Sequence, residues 1–142
     1  MLKRLSLIAL AGACFLAMGY ADQSKGKVVI PVNRTNPTDG KMMYQSYCAP
    51  CHGADGRGNG PAASAMKMQP TDLTQLSRMH QGKFPETHVA SVLQFGSAVP
   101  AHGSAAMPIW GQLFGKMEPV QSQETALRIN NLTRYLETMQ AR

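Results

Sequence analysis

Apolar residues recur every three or four positions in two stretches of the chain, which is the spacing of one face of an α-helix. The first stretch starts at Thr38 or Asp39 and leads into Cys48; its face is formed by Gly40, Met43, Tyr44 and Tyr47. The second is predicted from about Ser122 to Gln140; its stripe is Ile129, Leu132, Tyr135, Leu136 and Met139, with arginines and Glu137 around the rest. Glycine lowers helix stability, so we expect another backbone to cross the first helix at Gly40.

The residues between these helices predict shorter elements. A Gly-rich loop follows His52 and ends at Gly60-Pro61. Short helices are predicted within residues 62–67, within residues 71–76, and from Pro85 to Gly96, whereas residues 96–119 are predicted to be mostly loop. Together with the two longer helices, this pattern indicates a small all-α domain of about four to five helices.

The N-terminal 38 residues have a different pattern. Lys3 and Arg4 precede an apolar run at residues 5–18, which is shorter than the ~20 residues that span a bilayer. Small residues then reach a signal peptidase site at residues 19–21. We therefore predict a signal peptide at residues 1–21 and export to the periplasm. Residues 22–38 are predicted as an extended N-terminal segment because Pro31 interrupts their apolar run, and residues 39–142 form the domain.

Cys14 leaves two alternatives to simple cleavage open. Residues 10–14 resemble a lipoprotein signal, in which the cysteine would be lipidated, although Leu10 lies one position too far from it. The other alternative is an uncleaved anchor. If Cys14 leaves with the signal peptide, both remaining cysteines belong to one motif and no disulfide is available.

Charge bears on the class of partner. The formal net charge is +6, and removal of Lys3 and Arg4 leaves 12 Lys and Arg against 8 Asp and Glu, a charge of +4. Such a charge can serve solubility alone, or it can steer the protein toward an acidic redox partner or an anionic membrane surface. Export and the lack of a Lys/Arg cluster argue against nucleic acid as a partner.

One motif dominates the candidate chemistry. Cys48 and Cys51 are three positions apart and His52 follows directly, a spacing typical of covalent haem attachment. Each thiol can add across one haem vinyl group to form a thioether, and the adjacent imidazole can supply the proximal iron ligand. Two alternatives remain: a thioredoxin-like dithiol, which belongs beside a βαβ pattern, and a zinc site, which usually brings a second ligand pair. Neither feature is evident in the sequence.

Several further residues resemble those of the class I c-type cytochromes. They are the glycine-tyrosine helix into Cys-x-x-Cys-His-Gly, Gly60-Pro61, Asp72-Leu73, Met107-Pro-x-Trp-Gly and Leu132-x-x-Tyr135-Leu136. The resemblance spans roughly residues 40–139. It implies a small cytochrome c fold around one covalent haem c, in which Gly40 and Tyr44 contact Leu132 and Tyr135 where the first and last helices cross. It also implies an electron carrier rather than an enzyme, without a small-molecule substrate.

The resemblance also implies a second axial ligand. Met107 is followed by proline, lies in a predicted loop near the end of the domain and matches the family's ligand position; His102 is the main rival, and an open site is the third alternative. A neutral, soft thioether would favour ferrous iron. The other methionines considered are interpreted as core gap-fillers: Met42, Met43, Met66, Met68, Met79, Met117 and Met139. His80 and His88 are interpreted as surface residues.

Two residues are predicted around the haem. A metal-bound histidine usually donates its other N–H to a carbonyl or carboxylate, and the resemblance assigns that role toward His52 to the carbonyl of Pro61. Trp110 could pack on the haem or donate to a propionate, and a plain core tryptophan is the equal alternative.

These features predict a one-electron carrier in a bacterial respiratory or periplasmic redox chain. Both axial positions of its iron would be filled, and it would dock with donor and acceptor proteins. Two other functions remain open. One is a small haem peroxidase or gas-binding protein with a vacant distal site, and the other is a subunit of a larger dehydrogenase or oxidase.

Overall fold

The computed structural model describes residues 33–96, 107–117 and 122–141. The predictions for the signal peptide, Cys14 and His102 lie outside these residues. The helices are Gly40–Met43 (α1), the π-helix Tyr44–Cys48 (π1), Ala49–His52 (α2), Leu76–Met79 (α3), Glu86–Phe95 (α4), Trp110–Met117 (α5) and Ser122–Thr138 (α6). Two 3₁₀ turns, Ala63–Ala65 and Leu73–Gln75, complete the described secondary structure, which contains no strand. The all-α prediction is confirmed, and α1, π1 and α2 form one continuous segment.

The first helix begins where the sequence predicted. The Asp39 side chain caps α1 by accepting a hydrogen bond of 2.8 Å from the Met42 amide. A Cβ added to Gly40 would overlap the Asn131 carbonyl oxygen and lie 2.9 Å from Cβ of Tyr135. The backbone that crosses the first helix at Gly40 is therefore α6.

The core lies where α1 and π1 meet α4, α5 and α6. Its buried hydrophobic residues are Met43, Tyr44, Tyr47, Cys48, Val89, Leu93, Trp110, Phe114, Ile129, Leu132 and Leu136. Tyr44 and Leu132 are fully buried, and the Tyr44 and Tyr135 rings lie 5.4 Å apart. The aromatic and aliphatic contact that the resemblance implied is thus present at the crossing.

One segment differs from its prediction. The sequence predicted loop through most of residues 96–119, but residues 110–117 form α5. Trp110 and Phe114 are buried one turn apart on the same face of this helix. Their tertiary packing outweighs the low helix propensity of Gly111 and Gly115.

The solvent exposure of four further residues differs from the prediction made from the sequence. Met42, Met68 and Met79 are 44%, 56% and 58% exposed. They lie on short helices and turns that have little inward surface, so they are not core gap-fillers. Arg128 was assigned to the polar surface of the last helix but is 2% exposed, because it lies four positions before Leu132 and both share one face.

None of the described helices has both the length and the apolar character needed to cross a membrane.

Candidate haem site

The two motif cysteines lie at either end of one helical turn. Cys48 is the last residue of π1, and Pro50 occupies the first turn of α2, where its missing N–H is tolerated. Both thiols are free, Cys48 buried and Cys51 half-buried. Burial raises the pKa of Cys48 to about 12, with a smaller contribution from Cys51, and burial also raises the pKa of Cys51. Both groups are therefore protonated thiols at neutral pH.

This environment differs from that of a redox-active dithiol. Catalytic Cys-x-x-Cys pairs have a lowered thiol pKa, which keeps the attacking sulfur ionised. Here burial shifts the pKa of both thiols in the opposite direction. Within the described residues, no group of three or more His, Cys, Asp and Glu side chains is arranged to hold a metal ion.

His52 ends α2 with its ring directed at a carbonyl group. Its Nδ1 lies 3.0 Å from the Thr71 carbonyl oxygen. A carbonyl only accepts, so Nδ1 carries the hydrogen and Nε2 keeps its lone pair. Burial lowers the pKa of His52, and the weaker effect of the bond to Thr71 raises it. A neutral imidazole with a bare Nε2 is the form that binds iron.

The partner of Nδ1 is not the one that the sequence suggested. Thr71 occupies the place predicted for Pro61, and Pro61 is exposed. The physical reason lies in the neighbours of Pro61. Amides of Gly60 and Ala62 donate to the carbonyls of Cys51 and Pro50 at 3.1 and 2.9 Å, which holds this step against the backbone of the attachment turn.

Thr71 reaches His52 because two loops lie side by side. The Leu73 amide donates to the Gly56 carbonyl at 2.7 Å. Gly58 has a φ of +78°, and a Cβ there would overlap the Pro70 carbonyl oxygen. Sequence reasoning missed Thr71; the only signal was the row of glycines, which indicated a tight loop but not its neighbour.

Tyr44 connects the attachment turn to the helix crossing. Its hydroxyl donates to the Gly53 carbonyl at 2.7 Å, immediately after His52. Burial, together with smaller contributions from Cys48, Tyr135 and Asp55, raises the pKa of Tyr44 well above its usual value. The phenol is therefore neutral, and it fixes the end of α2 relative to α6.

The predicted distal residues lie at the start of α5. Met107 is half-buried and packs against the core, and Trp110 is 2% exposed. The Trp110 ring lies 5.3 Å from that of Tyr47, the residue before Cys48. Met107 lies three positions before Trp110, a span of at most about 11 Å, and ligation of iron by Met107 stays a prediction. Trp110 is a core residue, and its contact with haem stays a prediction.

The donor set fits a covalently attached haem. Two protonated thiols three positions apart can form the thioethers, and one neutral imidazole beside them can ligate the iron. No curated protein matches the chain. The sequence model of the family described as cytochrome c oxidase, cbb3-type, subunit III matches residues 35–122, which is more than half of the chain. The chain therefore belongs to this family, and it is a class I monohaem c-type cytochrome that binds haem c covalently.

Proposed function

We propose that this cytochrome is an exported one-electron carrier with His52 and Met107 as the axial ligands of its iron. The observation that carries the proposal is the contact between Trp110 and Tyr47, because it brings the start of α5 to the attachment turn. When bound, haem c supplies an iron atom that alternates between the ferrous and ferric states. The protein residues hold it, exclude water and present a docking surface.

The proximal side supports ligation by His52. The Thr71 carbonyl fixes the tautomer and the orientation of the ring. Such second-shell hydrogen bonds also raise the basicity of the ligating nitrogen. Cys48 and Cys51 would hold the porphyrin on the same turn, so the imidazole would be bound next to its iron.

The distal side supports ligation by Met107. Met107 packs against the buried hydrophobic core, whose members include Trp110 and Phe114. An apolar pocket disfavours the more highly charged ferric state, and a thioether ligand acts in the same direction. Both features suit a carrier of relatively high potential with no site for substrate at the iron.

Surface charge supports docking to an acidic partner. Most of the described lysine and arginine side chains are exposed, among them Lys41, Arg57, Lys67, Lys83 and Lys116. Exposed positive charge accelerates encounter with a negatively charged redox protein and also favours an anionic membrane surface. The rate of electron exchange with an acidic partner should therefore fall as ionic strength rises.

We include export in the proposal because a carrier in a bacterial respiratory or periplasmic redox chain works outside the cytoplasm. Sequencing of the mature N-terminus should give a start near Asp22. A lipid-modified Cys14 at the N-terminus would instead place the protein on a membrane.

The spectrum of the purified protein tests the function most simply. The ferric form should show the long-wavelength absorption of sulfur-ligated haem, and the reduced form should not bind carbon monoxide unless denatured. Rapid binding of carbon monoxide by the native reduced protein would instead favour a gas-binding protein or peroxidase with a vacant distal site.

The family description favours a second function, a subunit of a larger oxidase. A free carrier and a subunit would use the same haem site but different surfaces. Size-exclusion chromatography of a mild-detergent extract, followed at a haem wavelength, distinguishes them. Elution somewhat below the 15.4 kDa of the full chain, as expected after removal of the signal peptide, supports the carrier, and elution with a large complex supports the subunit.

A further inference from the structure

A set of residues outside the haem motif connects the N-terminal segment to the helix that carries the distal side. We propose that residues 33–35, Tyr47 and Arg128 form a clamp that positions α5 and thereby stabilises the bond between iron and Met107. We call this set the N-terminal clamp. The inference rests on the proposed ligation by Met107.

The N-terminal segment is bound to residues far along the chain. Arg128 donates from Nη1 to Thr35 Oγ1 at 3.1 Å, and Asn131 donates to the Pro37 carbonyl at 3.0 Å. Arg34 donates to the Met117 carbonyl at the end of α5. These bonds join residues more than 80 positions apart, so they form only in the folded domain.

The Tyr47 hydroxyl is the centre of the clamp. It lies 2.5 Å from the Asn33 carbonyl oxygen and 2.9 Å from Thr35 Oγ1. A carbonyl only accepts, so the phenol donates to Asn33, and Thr35 then donates to the phenol. Arg128 in turn donates to Thr35. The three side chains form one directed chain of hydrogen bonds, in which each member fixes the next.

The same residues contact α5 along one face. The Tyr47 ring lies 5.3 Å from Trp110 and 5.5 Å from Phe114. The Arg128 guanidinium lies 5.7 Å from the centre of the Phe114 ring and is paired with Glu124 at 2.6 Å. A buried cation is stable only where it is paired and hydrogen-bonded. The position of Phe114 is therefore fixed from two sides, by Tyr47 and by Arg128.

Movement of α5 would move Met107 with it, since only Pro108 and Ile109 separate the two. On the proximal side, the thioethers of Cys48 and Cys51 would tie the haem to the chain, whereas Met107 would have no such covalent bond. An external ligand can replace Met107 only when the distal side opens, so the apparent affinity of that ligand is its intrinsic affinity multiplied by the fraction of open protein. Any contact that exists only in the closed state therefore weakens binding of that external ligand.

Imidazole binding to the ferric haem-loaded protein measures this opening. Tyr47→Phe removes the hydroxyl and keeps the ring, and it should strengthen imidazole binding roughly fivefold to thirtyfold, the effect of one or two lost hydrogen bonds. Thr35→Val interrupts the same chain from the exposed segment and should act in the same direction, should Tyr47→Phe fail to load haem.

Tyr135→Phe is the matched control. It is the same chemical change on a half-buried tyrosine whose ring contacts Tyr44 rather than α5. It should leave imidazole affinity unchanged. Equal affinity in wild type, Tyr47→Phe and Thr35→Val would overturn the clamp, as would an equal gain in Tyr135→Phe, which would indicate general destabilisation.

The wild-type spectrum separates the two proposals. If the ferric protein lacks the absorption of sulfur-ligated haem, then the ligation by Met107 is wrong and the clamp has no ligand to position. If that absorption is present and the clamp variants bind imidazole like wild type, then the ligation stands and only the clamp is wrong.

Discussion

Helix α5 packs against the ring of Tyr47, the residue before the attachment turn, yet α5 and the attachment turn are held in place by different means. Residues 40–52 form one continuous helical segment that begins at its own N-cap, Asp39, and contains three of the residues proposed to bind haem. Met107, the second ligand proposed here, lies 55 positions after His52 and just before α5. Helix α5 contains two glycines and packs against Tyr47, Arg128 and Gln94. The proximal side is thus fixed by local sequence and covalent bonds, and the distal side by tertiary contacts.

The largest effect should come from removing the covalent attachment of haem. Replacing both Cys48 and Cys51 by serine removes both thioethers, so no haem should stay with the polypeptide after acid-acetone extraction. Cys14→Ser is the matched control and should keep the colour with the protein. Colour lost to the solvent from the wild-type chain would contradict covalent attachment.

Two alanine substitutions one turn apart test the tertiary fixing of α5. A Cβ at Gly111 would overlap the Gln94 carbonyl oxygen of α4, so Gly111→Ala should destabilise the protein by about 1–3 kcal/mol. A Cβ at Gly115 meets no atom within 4 Å, so Gly115→Ala should stabilise it by about 0.5–1 kcal/mol through helix propensity.

Denaturant unfolding of the haem-loaded variants measures both changes. Opposite signs confirm that α5 packs on α4 through Gly111. If the two substitutions changed the free energy of unfolding by the same amount, this packing would be wrong.

A smaller effect is expected at the junction of the two regions. Tyr44→Phe removes the hydrogen bond to the Gly53 carbonyl but keeps the ring, and it should lower the free energy of unfolding by about 1 kcal/mol. Tyr135→Phe should lower the free energy of unfolding by less, because the Tyr135 hydroxyl makes no hydrogen bond with the described residues. Equal losses in the two variants would show that the bond to Gly53 contributes nothing specific.

The difference between local signals and tertiary contacts also explains which features could be predicted from the sequence. The helix that leads into Cys48, its start near Asp39 and the crossing at Gly40 were predicted, since periodicity and a glycine within a helical pattern are local signals. The α4 bounds between Pro85 and Gly96 were predicted for the same reason.

The residues that sequence reasoning missed depend on distant neighbours. Helix α5 was predicted as loop because its glycines lower helix propensity, although Trp110 and Phe114 stand four apart. The carbonyl of Thr71, not that of Pro61, accepts the hydrogen bond from His52 because two loops pack side by side. Arg128 is buried because its partners lie in α5, α6 and the N-terminal segment. Local patterns cannot show such pairings.

The reduction potential of Met107→Ala, measured beside that of Met79→Ala, tests the proposed ligation most directly. Met79 is exposed at the end of α3 and serves as the control for loss of a thioether. We predict a large fall in the reduction potential of Met107→Ala, since loss of the soft ligand stabilises ferric iron. This variant should also lose the absorption of sulfur-ligated haem and bind carbon monoxide when reduced. Met79→Ala should change none of these. If Met107→Ala keeps the wild-type potential and spectrum while His102→Ala changes both, the iron is ligated by two histidines and Met107 is not its ligand.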